Sequence, residues 1–407
     1  MQFRITTKAA PLSAAIGLAI ALAACSSAST SSTSASASGT SSSGAKGDYV
    51  VGFEGGLTGP VAPTPADELL GLRAYMNMIN KKGGINGHMV NVVSANDDGL
   101  DASMAVANFI NFRDSVKPSV VVGPTVSNIT DAVASIVDGA KIPILVTSPT
   151  PQEEQNPYIY AVDIRFDQEA KIEVQVVKGL DSSGSKVRVA ILYADSAAGE
   201  SMGTAGDAAI SANGWTLTSN ILLPVPPPDS MAAQAQTIVS KNTQYVIGGV
   251  FLDLPPLLMT SLATDGFKGV VVNYHGGATL PQLMQINDPN YYVLRSWAYY
   301  NSPASGVQAM DAAVRAIGGD PSGDYLPIGW GSGALIAKAL AACGFPCPGS
   351  KMKAALDSVG TVGTLGGVFA GPFGFVNGSH QAVNASNVYH YVNGKVEELP
   401  TTYTVQS

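Results

Sequence analysis

The chain has 407 residues, of which 46% are hydrophobic and 13% charged, and its formal net charge is −8. That length exceeds one ordinary core and predicts two lobes, and so apolar a composition excludes a disordered chain. The acidic balance argues against a nucleic-acid partner and against a polybasic grip on lipid headgroups.

At the N-terminus, Arg4 and Lys8 precede an apolar run, Ala14 to Leu22, and then Leu22-Ala23-Ala24-Cys25. The run is too short to stay in a bilayer as a permanent helix and has the shape of a secretory leader. Small residues before a cysteine resemble the bacterial lipobox, which implies that residues 1–24 are a signal peptide and that Cys25 carries diacylglycerol after cleavage. Losing Arg4 and Lys8 with the leader takes the net charge to about −10. Residues 25–47, almost entirely Ser, Thr, Ala and Gly, cannot build a core and read as a flexible tether.

From Asp48 the pattern is strand (Asp48 to Phe53), glycine loop (Gly55 to Pro60), helix (Ala66 to Asn80) and strand (Met89 to Ser94). Asp97-Asp98 and a second helix, Ala102 to Phe112, lead to Ser119–Ile136. There Val120 to Val122 read as a strand buried on both faces, Gly123-Pro124 stop it, and Ile129 to Ile136 read as a helix. A strand that ends in a small polar loop opening into a helix places free N–H groups and a positive dipole end beside Ser127. Such a place suits a carboxylate, although Ser127 and Asn128 could serve only as helix caps.

A strand at Lys141 to Thr147 follows, and the alternation begins again after Arg165. Helices are expected at Gln168–Leu180, Gly203–Asn213, Met231–Ser240 and Pro255–Thr264, with strands at Val187–Tyr193, Trp215–Leu222, Tyr245–Val250 and Val270–Asn273. Later helices (Val307–Ile317, Ala334–Ala342, Met352–Val359) return to the first lobe. The fold class is therefore α/β, with two doubly wound parallel-sheet lobes and functional loops at the strands' C-terminal ends. The first lobe is assigned residues 48–165 and 301–368, and the second 166–300 and 369–407.

Gly199-Glu200-Ser201-Met202-Gly203 matches the nucleophile-elbow pattern of serine hydrolases, with Ser201 as nucleophile. An elbow serine sits directly off its strand, however, and Ala194 to Ala198 intervene here. The glycines from Gly52 to Gly59 fit neither dinucleotide nor phosphate-loop spacing. Asp97-Asp98 read as solvated or capping acids, and Tyr291-Tyr292, Trp297 and Tyr299-Tyr300 as packing. Cys343 and Cys347, in CGFPC, read as a local disulfide closing a small loop with modest stabilisation. The four histidines have no metal-ligand spacing, so neither metal nor cofactor is expected.

An ordered set of motifs spans nearly the whole chain after the tether: Gly56-Leu-Thr-Gly-Pro60, Asn80-Lys-Lys-Gly-Gly-Ile-Asn-Gly87, Asp97-Asp98, Val121-Val-Gly123 with Ser127, Ile142-Pro143, Asp229, Gly248-Gly249, Gly371-Pro372 and Asn393-Gly394-Lys395. Together they resemble the solute-binding proteins of branched-chain amino-acid ABC transporters. The resemblance implies a type I periplasmic-binding fold with three crossovers forming a hinge, and no catalysis. It implies that the Ser127 hydroxyl, flanked by Thr125 and Asn128, holds a ligand carboxylate. It further implies ligand contacts from the Thr147–Thr150 loop, through Ser148 and Thr150, and an aromatic wall at Phe251. Thr64 stands where the family often has an aromatic ring, and Ala198 where it often has a second-lobe tyrosine. Leu100 replaces a cysteine found in some relatives.

His275 stands where amino-acid binders carry an acid that pairs with the ligand ammonium, and Asp253 is the nearest acid that could substitute. Imidazole cannot supply that charge. The expected function is a lipid-anchored extracytoplasmic receptor that closes on a small, amino-acid-like carboxylate- or amide-bearing ligand; a compound without a free amine is the favoured class and a branched-chain amino acid held differently the second. The expected partners are an ABC permease and its ATPase, with the receptor itself a monomer. A sensor of the same fold that serves no transporter is the alternative.

Overall fold

Valine-rich runs without the alternation of a half-wetted strand form the centres of two parallel sheets. The computed structural model describes residues 47–182 and 186–405; the leader, Cys25 and almost all of the tether lie outside the described residues. In the first sheet β1 (Tyr49–Phe53), β2 (Val90–Ser94), β3 (Val120–Val122), β4 (Ile144–Val146) and β5 (Ile159–Ala161) stand in the order β2-β1-β3-β4-β5. Every residue of β3, β4 and β5 is buried. Helices α1 (Pro63–Lys81), α2 (Ala102–Asn111) and α3 (Ser127–Ala140) connect the strands.

The second sheet repeats this order. After α4 (Phe166–Leu180) come β6 (Arg188–Ala194), α5 (Ala197–Ala212), β7 (Thr216–Leu223), α6 (Ala232–Ser240) and β8 (Tyr245–Gly248). Then follow α7 (Leu254–Thr264), β9 (Val270–Asn273), α8 (Leu280–Ile286) and β10 (Tyr291–Arg295). The parallel part runs β7-β6-β8-β9-β10, the first sheet's order position for position. Next α9 (Ser305–Arg315), α10 (Leu326–Cys343) and α11 (Gly349–Asp357) return to the first sheet, α9 and α10 packing on α1. Strand β11 (Gly360–Thr361) pairs antiparallel with β12 (Gly374–Phe375), and Gln381 bridges Ala161 at the end of β5. The expected lobe boundary at 368/369 falls inside this stretch, between β11 and β12, and so too early. Finally β13 (Ala385–Val392) joins β10 antiparallel, β14 (Lys395–Glu398) joins β13, and β15 (Tyr403–Thr404) pairs with β13's start. The chain thus passes between the sheets three times, after β5, after β10 and before β13. The antiparallel edge was not expected, because Tyr291–Arg295 reads as an aromatic patch rather than a strand.

Two glycines terminate equivalent strands. Gly123 after β3 (φ +95°) and Gly248 at the end of β8 (φ +119°) each leave room for the neighbouring strand's carbonyl, where a Cβ would sit 1.9 Å from Glu54 O or Leu192 O. Only glycine satisfies both the left-handed backbone and that approach. Helices α5 and α10 start earlier than expected, at Ala197 and Leu326 rather than Gly203 and Ala334, because their internal glycines pack against neighbours instead of breaking the helix. By length and composition α10 could cross a membrane, but 78% of it is buried in the fold, as a core helix should be.

Cys343 and Cys347 form a disulfide with Cα atoms 5.8 Å apart. The Ser119 hydroxyl donates to Cys347 O at 2.6 Å, and the Phe345 ring stacks on His88 at 3.9 Å.

Gly123→Ala is expected to cost at least about 2 kcal/mol in urea unfolding. Gly139→Ala, on an exposed part of α3 with open space around it, should be neutral or stabilising by up to about 1 kcal/mol.

Candidate ligand-binding site

In doubly wound sheets the loops after the strands converge, and here both sheets aim those loops at one cavity of about 610 Å³. From the first sheet come Val61, Thr64 and Asp67 after β1, Leu100 after β2, Thr125 to Ile129 (without Ser127) after β3, and Ser148 after β4. The second sheet supplies Ala194 to Ser196 after β6, Val225 after β7, Phe251 to Asp253 after β8, and Tyr274 and Gly276 after β9. Phe166 at the first crossing and Gly323 to Tyr325 before α10 complete the wall.

The sequence profile of the periplasmic binding protein family matches residues 48–395. The chain belongs to that family. Its two-lobed architecture is the type I periplasmic-binding fold, shared with solved structures of low identity. One is a solute-binding protein from R. palustris in complex with 4-hydroxybenzoate: 20% identity, 88% of this chain and 98% of that one, TM-score 0.75. Another is a branched-chain amino acid transporter substrate binding protein from Streptococcus pneumoniae in complex with isoleucine: 18% identity, 88% and 99% covered, TM-score 0.72. A third is a fatty acid ABC transporter substrate-binding protein from Thermomonospora curvata: 16% identity, 88% and 92% covered, TM-score 0.74. No curated protein sequence matches the chain.

Of the residues singled out in the sequence of this periplasmic binding protein, Thr64, Thr125, Asn128, Ser148 and Phe251 line the cavity. Ser127 does not. It is buried, and its Oγ accepts the Ala198 N–H at 3.1 Å while Asn128 Oδ1 accepts the Ala197 N–H at 3.1 Å. Ser196 Oγ accepts the Gly199 N–H at 3.1 Å. The first three N–H groups of α5 in the second lobe are therefore all capped, two of them by α3 of the first. Ala198 itself is fully buried beneath this contact.

Thr150 faces a different groove, with Asp131 and Lys171, and its backbone N–H donates to the Glu153 carboxyl. Ser201 lies inside α5 and its hydroxyl donates to Ala198 O at 2.7 Å, so it occupies no strand-to-helix elbow. Asp97 caps the N–H groups of Leu57 and Gly99, and Asp98 that of Leu100, as loop-shaping acids do.

His275 also stays out of the cavity. Its ring is fully buried, with Nδ1 2.7 Å from Glu169 Oε2 and Nε2 2.9 Å from Asp163 Oδ2. Burial opposes the imidazolium, but the two carboxylates outweigh it and push the pKa up to about 10. Around the ring pack Tyr274 (4.8 Å between centroids), Trp297 (5.2 Å), Phe166 (5.7 Å) and Tyr325 (6.3 Å). Three of these rings, Phe166, Tyr274 and Tyr325, are cavity wall, so His275 sets the site's shape from behind. The charge that it carries is matched by acids below and does not reach a ligand.

The sequence reading missed Asp67, Tyr274, Asp324 and Tyr325. Tyr274 follows β9 directly, the position from which a parallel sheet usually serves its ligand; the others carry no motif. Burial raises the Asp67 carboxyl to about 6, with the Tyr325 N–H acting against it. Asp324 is paired to the buried Arg295 guanidinium at 2.9 Å.

Stability should follow the buried protons. Burial pushes Glu54, Glu68 and Glu153 to about 9, 8 and 8 from an ordinary 4.5, and His275 lies near 10 against 6.5. The folded state binds more protons than the unfolded chain between these limits, so the contribution is fullest below about 4.5 and is lost as pH rises through 8 to 10. Hydrogen bonds from Thr58, Gly99 and Leu57 hold Asp97 below its usual value, which reverses the sign at the acid end. The melting temperature is therefore expected to peak near pH 5 and to fall steadily to pH 9. His275→Gln, which leaves two buried carboxylates without a cation, should cost about 3 kcal/mol or more at pH 7 in denaturant titration.

Proposed function

We propose that this protein is the extracytoplasmic solute receptor of an ABC importer, lipid-anchored through Cys25, which closes its lobes over a small ligand and presents it to a permease and ATPase. The observation that carries this reading is the cavity of about 610 Å³ walled by equivalent loops of both lobes. Contacts from both lobes to one solute exist only when the cleft is shut, so ligand shifts the population toward closure.

The lining suits a ligand with an apolar body and a carboxylate or amide end. Helix α3 starts at the cavity, and its first N–H groups have no carbonyl within the helix to bond, which favours an anionic or acceptor group beside Thr125 and Asn128. Val61, Val126, Ile129, Phe166 and Phe251 offer apolar surface. Both 4-hydroxybenzoate and isoleucine, bound by two proteins of this fold, have such an end and such a body. His275, buried between Asp163 and Glu169, does not face the solute, so the lack of an acid at that position does not speak against an amine on the ligand. Micromolar affinity corresponds to about −8 kcal/mol, within reach of a few hydrogen bonds and this wall.

A thermal-shift screen of amino acids, aromatic acids, short amides and fatty acids is expected to yield at least one compound that raises the melting temperature by mass action. Ser127→Ala removes a hydrogen bond between the lobes and should weaken every such ligand by about two- to tenfold in calorimetry. Loss confined to carboxylates would instead show that the hydroxyl touches the ligand.

A further inference from the structure

We propose that the hydroxyls of Tyr274 and Tyr325, one from each lobe, form a subsite for an uncharged oxygen of the ligand. The solute then carries a hydroxyl or carbonyl oxygen in addition to the end that meets α3. The inference rests on the receptor reading above and names a second group on its ligand.

Both tyrosines line the cavity, Tyr274 directly after β9 and Tyr325 at the start of α10. Their hydroxyls converge over Gly276, where a Cβ would lie 2.6 Å from the oxygen of Tyr274 and 2.9 Å from that of Tyr325. Among the described residues neither hydroxyl has a hydrogen-bond partner. The tyrosines behind them are satisfied: Tyr291 Oη donates to Gly277 O at 2.6 Å and Tyr299 Oη to Ala278 O at 3.1 Å. The fold therefore supplies backbone carbonyls to two phenols of this region and none to the pair that faces the cavity. Packing also fixes the pair. Tyr274 meets Phe166 edge-on at 5.3 Å, and Tyr325 meets Trp297 at 5.4 Å. Donors held in place before a ligand arrives cost little to order when it binds.

The charges around the pair decide what kind of oxygen it takes. The cavity lining contains no Lys, Arg or His, and Asp67 and Asp324 lie beside Tyr325. Arg295 neutralises Asp324 at 2.9 Å, whereas Asp67 accepts only the Tyr325 N–H, at 3.4 Å. A ligand carboxylate at this place would be repelled by Asp67 with no cation to offset it. A hydroxyl or carbonyl oxygen accepts both phenol hydrogens without that repulsion. Enclosed hydroxyls left without a partner are costly, and such an oxygen relieves this when the lobes exclude water. Because the two donors come from different lobes, they meet one oxygen together only in the closed molecule.

The test is calorimetry on the full chain with matched probes. These are benzoate with the hydroxybenzoates and phthalates, hexanoate with its terminal hydroxy acid and adipate, and phenylalanine with tyrosine. For the skeleton that binds, the best hydroxylated member should bind about tenfold tighter than its parent, and the dicarboxylate no tighter than the parent. Tyr274→Phe and Tyr325→Phe should each cut that preference about threefold, and together abolish it, with the parent held within about twofold. Gly276→Ala, on a backbone that accepts alanine, displaces both hydroxyls and should cut the preference too. If a phenylalanine variant does not fold, as judged by melting temperature, Gly276→Ala and the wild-type series decide. A preference that survives the double substitution, or a dicarboxylate that outbinds the hydroxy acid, overturns the inference. Binding without preference for the hydroxylated members overturns it and leaves the receptor reading intact, whereas binding by no probe of any kind overturns both.

Discussion

The imidazolium of His275, locked between Asp163 and Glu169, is the interaction on which the site's architecture depends. Asp163 lies on the first crossing between lobes, Glu169 on α4, and His275 in the loop after β9. One buried cation thus ties the hinge to two elements of the second lobe and supports the rings that form the cavity wall. A charge that deep survives only with close partners, and the 2.7 and 2.9 Å distances supply them. An apolar residue in that place could pack, but it would leave two carboxylates buried beside it.

Beside the apolar cluster that runs through both lobes, α3 and α5 meet through capping. Ser127 and Asn128 donate no charge; they offer acceptors to the exposed amides of a helix in the other lobe, and so complete a helix start that is unfinished in either lobe alone. Such contacts are directional and individually modest. The cavity beyond them is mostly apolar, with hydroxyls and acids at a few points.

Much of the fold was legible because valine runs, glycine stops and helical spacing repeat in the same order twice. Val120 to Val122 could hardly be anything but a buried parallel strand. The strand at Tyr291–Arg295 was not legible, since its aromatic and charged residues face a mixed edge where β13 returns. Within the site, the loops after β3, β4 and β8 were found from motif and position. Ser127 was placed one residue from the cavity but not in it, because whether a side chain at a helix start faces a ligand or the opposite lobe depends on tertiary approach. His275 was singled out but placed against the ligand instead of behind the wall, and Asp67 was not found, for related reasons. Local sequence says nothing about which acids surround a histidine, or which acid is left without a cation.

The start of the described chain is fastened entirely to the first lobe. Gly47 O receives the His88 ring at 2.7 Å, His88 lies flat on Phe345, and Phe345 sits within the loop that Cys343 and Cys347 close. Any pull arriving from upstream is therefore borne by one half of the molecule. The second lobe takes no part in these contacts, so a load applied at this end would leave the distance between the lobes unchanged.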